Sequence, residues 1–149
     1  MTPKEILSSV ETILLVDWPS KDVPEALTRA GFRVFVHGGP APEDYSAYVV
    51  DNSEVVSRYL GHPPEQADLV YSYRPLSELP EILALASKLK AKTLWTQSGF
   101  SAAGKDDVKG CWLPENELQS AQGMVKAAGL HNVTQPYIAD AAREARSSR

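Results

Sequence analysis

Four short polar segments of the sequence contain residue types that could bind an anionic, nucleotide-like ligand. Serine, lysine and arginine suit phosphate groups, and glycine lets a ligand approach the backbone closely. The residues concerned are Ser20, Lys21, His37, Gly38, Gly39, Arg74, Gln97, Ser98 and Gly99. Each segment comes at or shortly after the end of an apolar run, so a shared site requires a fold that brings the ends of those runs together.

Three of these candidates also have an ordinary structural interpretation. Lys21 could bind phosphate or be one of many exposed surface lysines. Arg74 could reach across a crevice to a phosphate or pair with a nearby carboxylate. His37 stands at a strand end without an acidic or cysteine companion in the sequence, so both a functional and a plain role stay open.

Residues 67–99 predict the element order that would position four of these nine candidates. An apolar strand at 68–73 is followed by a helix at about 76–90 and a second strand at 92–96. A right-handed crossover places the carboxyl ends of two such strands side by side. Arg74 and the segment 97–99 should therefore face one crevice, which is where ligands bind in open parallel sheets.

The rest of the chain repeats this alternation of strands and helices. It predicts an α/β fold of three layers, a Rossmann-like doubly wound and mainly parallel sheet of about five strands in the order 3-2-1-4-5. We expect one domain over residues 1–149, with its core at about 12–146. The further predicted strands are 12–16, 32–36, a short strand at 47–50 and 131–135. The further predicted helices are a short one that begins at Pro3, one at 23–30, a turn or two at 54–60, one that begins at Pro114 and one at 137–146.

Composition excludes several classes of function. The chain has 149 residues, 15 basic against 19 acidic side chains and a formal charge of −4, with no dense basic stripe, so nucleic-acid binding is not expected. No apolar run approaches the roughly 20 residues that span a bilayer. The single cysteine, Cys111, cannot form an internal disulfide, and the first residues do not resemble a secretory leader. A cytoplasmic location is expected.

Catalytic motifs are missing from the sequence. The turn after the first strand lacks the G-x-G-x-x-G pattern of nicotinamide dinucleotide sites, and no acidic residue ends the second strand. There is no P-loop, no cluster suited to zinc and no recognisable nucleophile, since Cys111 has no adjacent base. The sequence therefore predicts no metal site and favours binding over catalysis.

Several motifs between residues 67 and 99 together match the pattern of a known family. An Asp precedes a strand that ends in an aromatic residue and Arg, Pro-Glu lies in the next helix, and Trp-x-Gln-x-Gly follows. The matching residues are Asp68, Tyr73, Arg74, Pro80, Glu81, Trp95, Gln97 and Gly99, with 128–130 and Ile138 later in the chain. The pattern resembles the small bacterial CoA-binding proteins, which are related to the CoA-binding domain of succinyl-CoA synthetase, over most of residues 12–146.

The resemblance implies CoA, an acyl-CoA or a related adenine nucleotide as the ligand. Ser20 and Lys21 would then receive phosphate, Gly38 and Gly39 would admit the ribose or adenine, and Arg74 with residues 97–99 would border the pantetheine arm. The chain departs from the family at its phosphate turn, where residues 17–21 replace a Gly-x-Ser turn, and at residues 37–40, which replace Asn-Pro. Tyr137 replaces a family cysteine.

Two other functions stay open. The chain could be a regulatory or protein-interaction module that kept the fold and lost its pocket, with aromatic residues such as Trp18, Tyr45 and Tyr48 contacting a partner or a second copy in a homodimer. It could also be an enzyme acting on a small phosphorylated or acyl substrate. That reading requires His37 within hydrogen-bond reach of a carboxylate such as Asp17.

Overall fold

Five parallel strands form the middle and one side of a seven-stranded sheet in the computed structural model, which describes residues 2–38, 41–101, 103–107, 109–110 and 112–147. The strands are β1 (Thr12–Val16), β2 (Arg33–His37), β3 (Tyr45–Asp51), β4 (Glu54–Tyr59), β5 (Leu69–Ser72), β6 (Thr93–Thr96) and β7 (His131–Val133). Their spatial order is β4-β3-β2-β1-β5-β6-β7. Strands β3 and β4 pair antiparallel beside β2, and the other neighbours pair in parallel.

Helices cover both faces of this sheet and produce two core layers. They are α1 (Pro3–Ser9), α2 (Asp22–Arg29), α3 (Leu79–Lys88), α4 (Glu115–Ala127) and α5 (Ile138–Ser147). Because side chains alternate along a strand, Leu15, Tyr71 and Trp95 are buried in the layer that holds α1, α2 and α5. Leu14, Val70 and Leu94 are buried in the layer of α3 and α4.

This architecture confirms the predicted Rossmann-like α/β fold. The predicted strand order is present as β3-β2-β1-β5-β6, and the strand predicted at 131–135 is β7 at one edge of the sheet. The unpredicted strand β4 lies at the other edge, so the sheet has seven strands instead of about five. Within the described residues, no helix combines the length and apolar character that crossing a membrane requires.

The prediction of helical turns at 54–60 is wrong, because these residues form strand β4. Asn52 and Ser53 both have positive φ, 51° and 67°, which is the backbone of a two-residue hairpin turn between β3 and β4. Val55 and Val56 are β-branched and favour the strand that follows. In the sequence, Asn52 at the turn and the two valines that follow it were the features that could have predicted β4.

The sheet has its topological switch point between β1 and β5. From β1 the chain moves outward to β2 and then returns to β5 on the other side, so the loops that follow β1 and β5 diverge there. Asp68 fixes the opposite end of this strand pair, because its carboxylate accepts hydrogen bonds from the backbone N–H groups of Glu11 and Thr12, each at 2.9 Å. Ligand sites in such sheets lie at the carboxyl ends.

Candidate functional site

A cavity of about 350 Å³ lies at the carboxyl ends of β5 and β6, between α3 and α4. Its walls are mostly apolar and come from the start of α3, from α4 and from the loop between β6 and α4. The apolar lining residues are Pro75, Leu76, Leu79, Ile82, Phe100, Leu113 and Ala121. The remaining lining residues carry polar groups and are Ser72, Tyr73, Arg74, Thr96, Gln97, Ser98, Glu117 and Thr134.

Arg74 lies on the rim of this cavity and ties the switch point together. Its Nη1 donates to the Asp17 carboxylate at 2.9 Å, and its Nε and Nη2 donate to Glu78 at 3.0 and 2.6 Å. The hydrogen bond to Glu78 and then that to Asp17 raise the pKa of Arg74. The guanidinium thus joins the loop after β1 to the loop after β5. Of the two roles considered for Arg74 from the sequence, the structure shows the pairing with carboxylates.

Tyr73 occupies the same crevice and was not among the predicted site residues. Burial raises the pKa of its phenol, and the carboxylates of Asp17, Asp106 and Asp107 raise it further. The negative charges of these three carboxylates therefore influence the space around the Tyr73 phenol, at the carboxyl ends of the strands. An anion entering here needs a compensating cation, and Arg74 supplies one on the cavity rim.

The predicted phosphate turn after β1 is held by contacts within the protein. Ser20 accepts a hydrogen bond from the backbone N–H of Asp22 at 3.3 Å, and its hydroxyl also bonds Tyr137. Asp22 pairs with Arg143. Lys21 is exposed and immediately precedes α2.

The end of β2 is covered by side chains of this chain. The His37 ring stacks on Tyr45, with ring centroids 4.4 Å apart, and its Nδ1 lies 3.1 Å from the Asp44 carbonyl oxygen. Trp18 packs over Gly38, where an added Cβ would lie 3.1 Å from the indole Cη2. A shallow cleft of about 270 Å³ borders Trp18 and Gly38. Gly39 lies outside the described residues.

Gln97 is buried, with 4% of its surface exposed, and its amide links three elements. Its Oε1 accepts from the Tyr71 hydroxyl at 2.9 Å and from the Ile138 backbone N–H at 3.4 Å. Its Nε2 lies 3.5 Å from the Pro136 carbonyl oxygen, which also accepts from the Trp95 indole at 3.2 Å. The amide therefore connects β5 and β6 to the start of α5.

The segment after Gln97 folds back on itself and closes one side of the cavity. The Ser98 hydroxyl donates to the Trp112 carbonyl oxygen, and Phe100 bridges to Asp106. Gly99 has a φ of +78°, and an added Cβ would lie 2.1 Å from the Tyr73 hydroxyl oxygen. Tyr73 therefore packs directly on the backbone of this loop, which fits only glycine at that position.

The structure divides the predicted site residues among three places: the β5–β6 cavity, the loop after β1 and the end of β2. Arg74, Gln97 and Ser98 line the β5–β6 cavity, and Gly99 follows them. Ser20 and Lys21 lie beyond Asp17 on the β1 side, and His37 and Gly38 lie beyond Trp18 at β2. Sequence reasoning missed the wall contributed by Phe100, Leu113 and Ala121. The apolar stripe of α4 was a signal for the last of these, whereas the loop gave none.

A metal-holding cluster and a His37–Asp17 pair are two arrangements that catalysis could use in the parts of the chain that the structure describes. No group of three or more His, Cys, Asp and Glu side chains is placed there to hold a metal ion. His37 contacts Tyr45 and Asp44, while Asp17 pairs with Arg74. The His37 and Asp17 pairing that an acid–base site would need is not formed between these described residues. Cys111 lies outside them.

Comparison with solved structures finds a Thermus thermophilus protein, cell-free ID.343, that is similar to this chain with a TM-score of 0.56 and 23% sequence identity. The alignment covers 97% of this chain and 99% of that protein. At this identity the likeness shows the fold alone. No protein-family model and no curated protein matches the chain. The resemblance to CoA-binding proteins therefore stays a prediction.

Proposed function

We propose that this protein binds CoA or an acyl-CoA without catalysing a reaction, and that the pantetheine arm with its acyl group enters the cavity between α3 and α4. The observation that carries the proposal is the cavity itself. It opens at the carboxyl ends of two neighbouring parallel strands, β5 and β6, where an α/β sheet of this type binds ligands.

The size and lining of the cavity favour one arm of a large cofactor. Small-molecule sites occupy roughly 300–1,000 Å³, and about 350 Å³ lies near the lower end of that range. Pantetheine is a narrow chain of methylene and amide groups. Leu76, Leu79 and Ile82 can contact its methylenes, and the hydroxyl groups of Thr96 and Thr134 can bond its amides.

The nucleotide part of the ligand would lie outside the cavity along the carboxyl edge of the sheet. In this proposal Arg74 exchanges one of its two carboxylate partners for a phosphate, and Lys21 meets a second phosphate near the start of α2. The adenine or ribose would lie against the Trp18 ring, since that ring covers Gly38.

The resemblance over residues 12–146 supports the same ligand and the absence of catalysis. A cytoplasmic location, where CoA is available, belongs to the same proposal. Two observations favour a second candidate, a regulatory module that has lost the nucleotide: Trp18 covers Gly38, and Arg74 bridges the β1–β5 crevice. Binding measurements separate the two candidates.

Isothermal titration calorimetry with CoA, acetyl-CoA, pantetheine, ATP and NAD tests the proposal. CoA and acetyl-CoA should bind, pantetheine should bind more weakly at the same site, and NAD should not bind. Folded protein that gives no heat with any CoA derivative would remove this function and favour the regulatory module.

A matched pair of substitutions on α4 locates the binding. Ala121 is buried and lines the cavity, so Ala121→Leu places a larger side chain in the space proposed for pantetheine. Ala127→Leu makes the same change at an exposed position near the end of the helix. We expect CoA affinity to fall about tenfold or more in the first variant, as expected when a ligand must displace a side chain from a small pocket. Equal affinities in the two variants would place the ligand elsewhere.

A further inference from the structure

Strand β4 forms one edge of the sheet and presents a row of backbone groups on its outer side. The backbone N–H of Leu60 donates to the Tyr45 carbonyl oxygen at 2.8 Å, so even-numbered residues of this strand direct their backbone groups toward β3. The two-residue turn at Asn52 and Ser53 gives the same parity. The N–H and C=O groups of Val55, Ser57 and Tyr59 therefore point away from the sheet.

This edge has few of the features that normally prevent strand addition. Sheet edges are usually protected by proline, lysine, a bulge or a covering segment. The six residues of β4 contain no proline and no lysine, and each pairs with β3 in an unbroken register. Nearby apolar side chains are also exposed: Val50 is 53% exposed and Tyr59 is 68% exposed.

Charges along β4 select one register for a second copy of the strand. If two β4 strands pair antiparallel about an axis at Val56, each Glu54 lies opposite Arg58 of the second copy. The same register places each Ser57 opposite Val55 of the second copy, and these are residues whose backbone groups face outward. Glu54 and Arg58 then form non-hydrogen-bonded pairs, in which opposed side chains approach most closely.

An unfavourable pair within the chain favours the same arrangement. Asp51 lies directly opposite Glu54 in the β3–β4 ladder, and like charges in that relation are destabilising. Arg58 pairs with Asp51 at 3.2 Å, and among the described residues no ion pair neutralises Glu54. A second copy supplies an arginine to each Glu54. If the two-fold axis lay at Ser57 instead, Arg58 would lie opposite Val56 of the second copy and not opposite Glu54.

We infer that two copies of this chain associate through β4, so that their two sheets join into one continuous sheet across a two-fold axis. The interface is isologous, with the same residues contributed by each copy. It lies at the edge of the sheet opposite β7 and does not use the cavity between α3 and α4, so its test is independent of ligand binding.

Two charge-reversal variants, measured separately and then mixed, test the inference. Sedimentation equilibrium of the unchanged chain should show a monomer–dimer equilibrium. Glu54→Arg and Arg58→Glu should each raise the dimer dissociation constant roughly ten- to hundredfold, because two equivalent pairs change from attraction to repulsion. Mixing the two variants should restore a dimer, because each arginine then meets a glutamate. Arg33→Glu, on β2, is the control and should leave the dimer unchanged.

A proline substitution tests the backbone part of the interface. Ser57→Pro removes an N–H that faces away from β3, where proline is tolerated at a sheet edge. We expect a folded monomer with an unchanged circular dichroism spectrum. A monomeric unchanged chain at every accessible concentration would overturn the inference. So would a dimer that keeps its affinity in Ser57→Pro and Arg58→Glu.

Discussion

The carboxyl ends of β1 and β2 and those of β5 and β6 lie along one edge of the sheet, yet they are filled differently. At β1 and β2 the protein's own groups occupy the edge: Trp18 covers Gly38, and His37 stacks on Tyr45. At β5 and β6 the following segments leave a cavity of about 350 Å³. Between the two regions, Arg74 pairs with Asp17 across the switch point.

The difference follows from what comes after each strand. A bulky Trp18 and Pro19 follow β1, and Asp17 there has a positive φ of 65° with its carboxylate bonded to the Trp18 N–H. After β6, Gly99 lets the chain turn away over Tyr73, and α4 begins well removed from the strand. In this sheet, a few loop residues after each strand therefore determine whether its carboxyl end is filled or leaves space for a ligand.

The loop that walls the cavity should be the most sensitive to substitution. An added Cβ at Gly110 would lie 2.3 Å from the Phe100 carbonyl oxygen, a backbone atom, so Gly110→Ala should lower the free energy of unfolding by about 3 kcal/mol. Gly104→Ala, in the same loop with open space around it and a φ of +78°, should cost about 1 kcal/mol. Urea unfolding measures both. Equal losses would show that the loop does not close as described.

Gln97 should stabilise the fold more than its neighbour at the cavity. Gln97→Leu removes the acceptor of the buried Tyr71 hydroxyl and the Ile138 N–H, so we expect a loss of about 2 kcal/mol. Ser98→Ala should cost less than about 1 kcal/mol, because Ser98 is partly exposed. Thermal unfolding with both variants distinguishes them. A loss confined to Ser98→Ala would contradict the account of β6.

Substitution of Arg74 should weaken binding of the nucleotide part of the ligand and leave binding of the pantetheine part unchanged. Its two partners are partly exposed, so Arg74→Gln should lower stability by only about 0.5 kcal/mol. If Arg74 meets a phosphate, CoA affinity should fall roughly tenfold while pantetheine affinity stays unchanged. Calorimetry with both ligands provides the comparison. Equal losses for the two ligands would place phosphate elsewhere.

The smallest effect concerns alkaline pH. Burial, and then Asp17, Asp106 and Asp107, raise the pKa of Tyr73 above the ordinary value of about 10. In the unfolded chain this phenol ionises first, so its contribution to stability is complete below pH 10 and is lost as pH rises through the folded-state pKa. Tyr73→Phe should make the fall of the urea midpoint above pH 10 less steep. An unchanged slope would contradict this environment for Tyr73.

Most of the fold could be predicted from periodicity, since the apolar runs at β1, β2, β5 and β6 are continuous and their helices show clear stripes. β4 could not be recognised that way, because its partly exposed residues lack a one-sided apolar pattern and depend on the turn at Asn52 and Ser53. For the site, the predicted positions of the strand ends indicated that Arg74 and Ser98 share a cavity. The packing of Trp18 on Gly38 could not be predicted in this way, because it depends on the direction in which a loop side chain points.

A structure of the protein crystallised with CoA is the most direct test of the central claim. We expect the pantetheine arm to lie between Leu79 and Ala121, with phosphate groups near Arg74 and Lys21. A ligand seated in the cleft beside Trp18 and Tyr48, with the β5–β6 cavity empty, would contradict it.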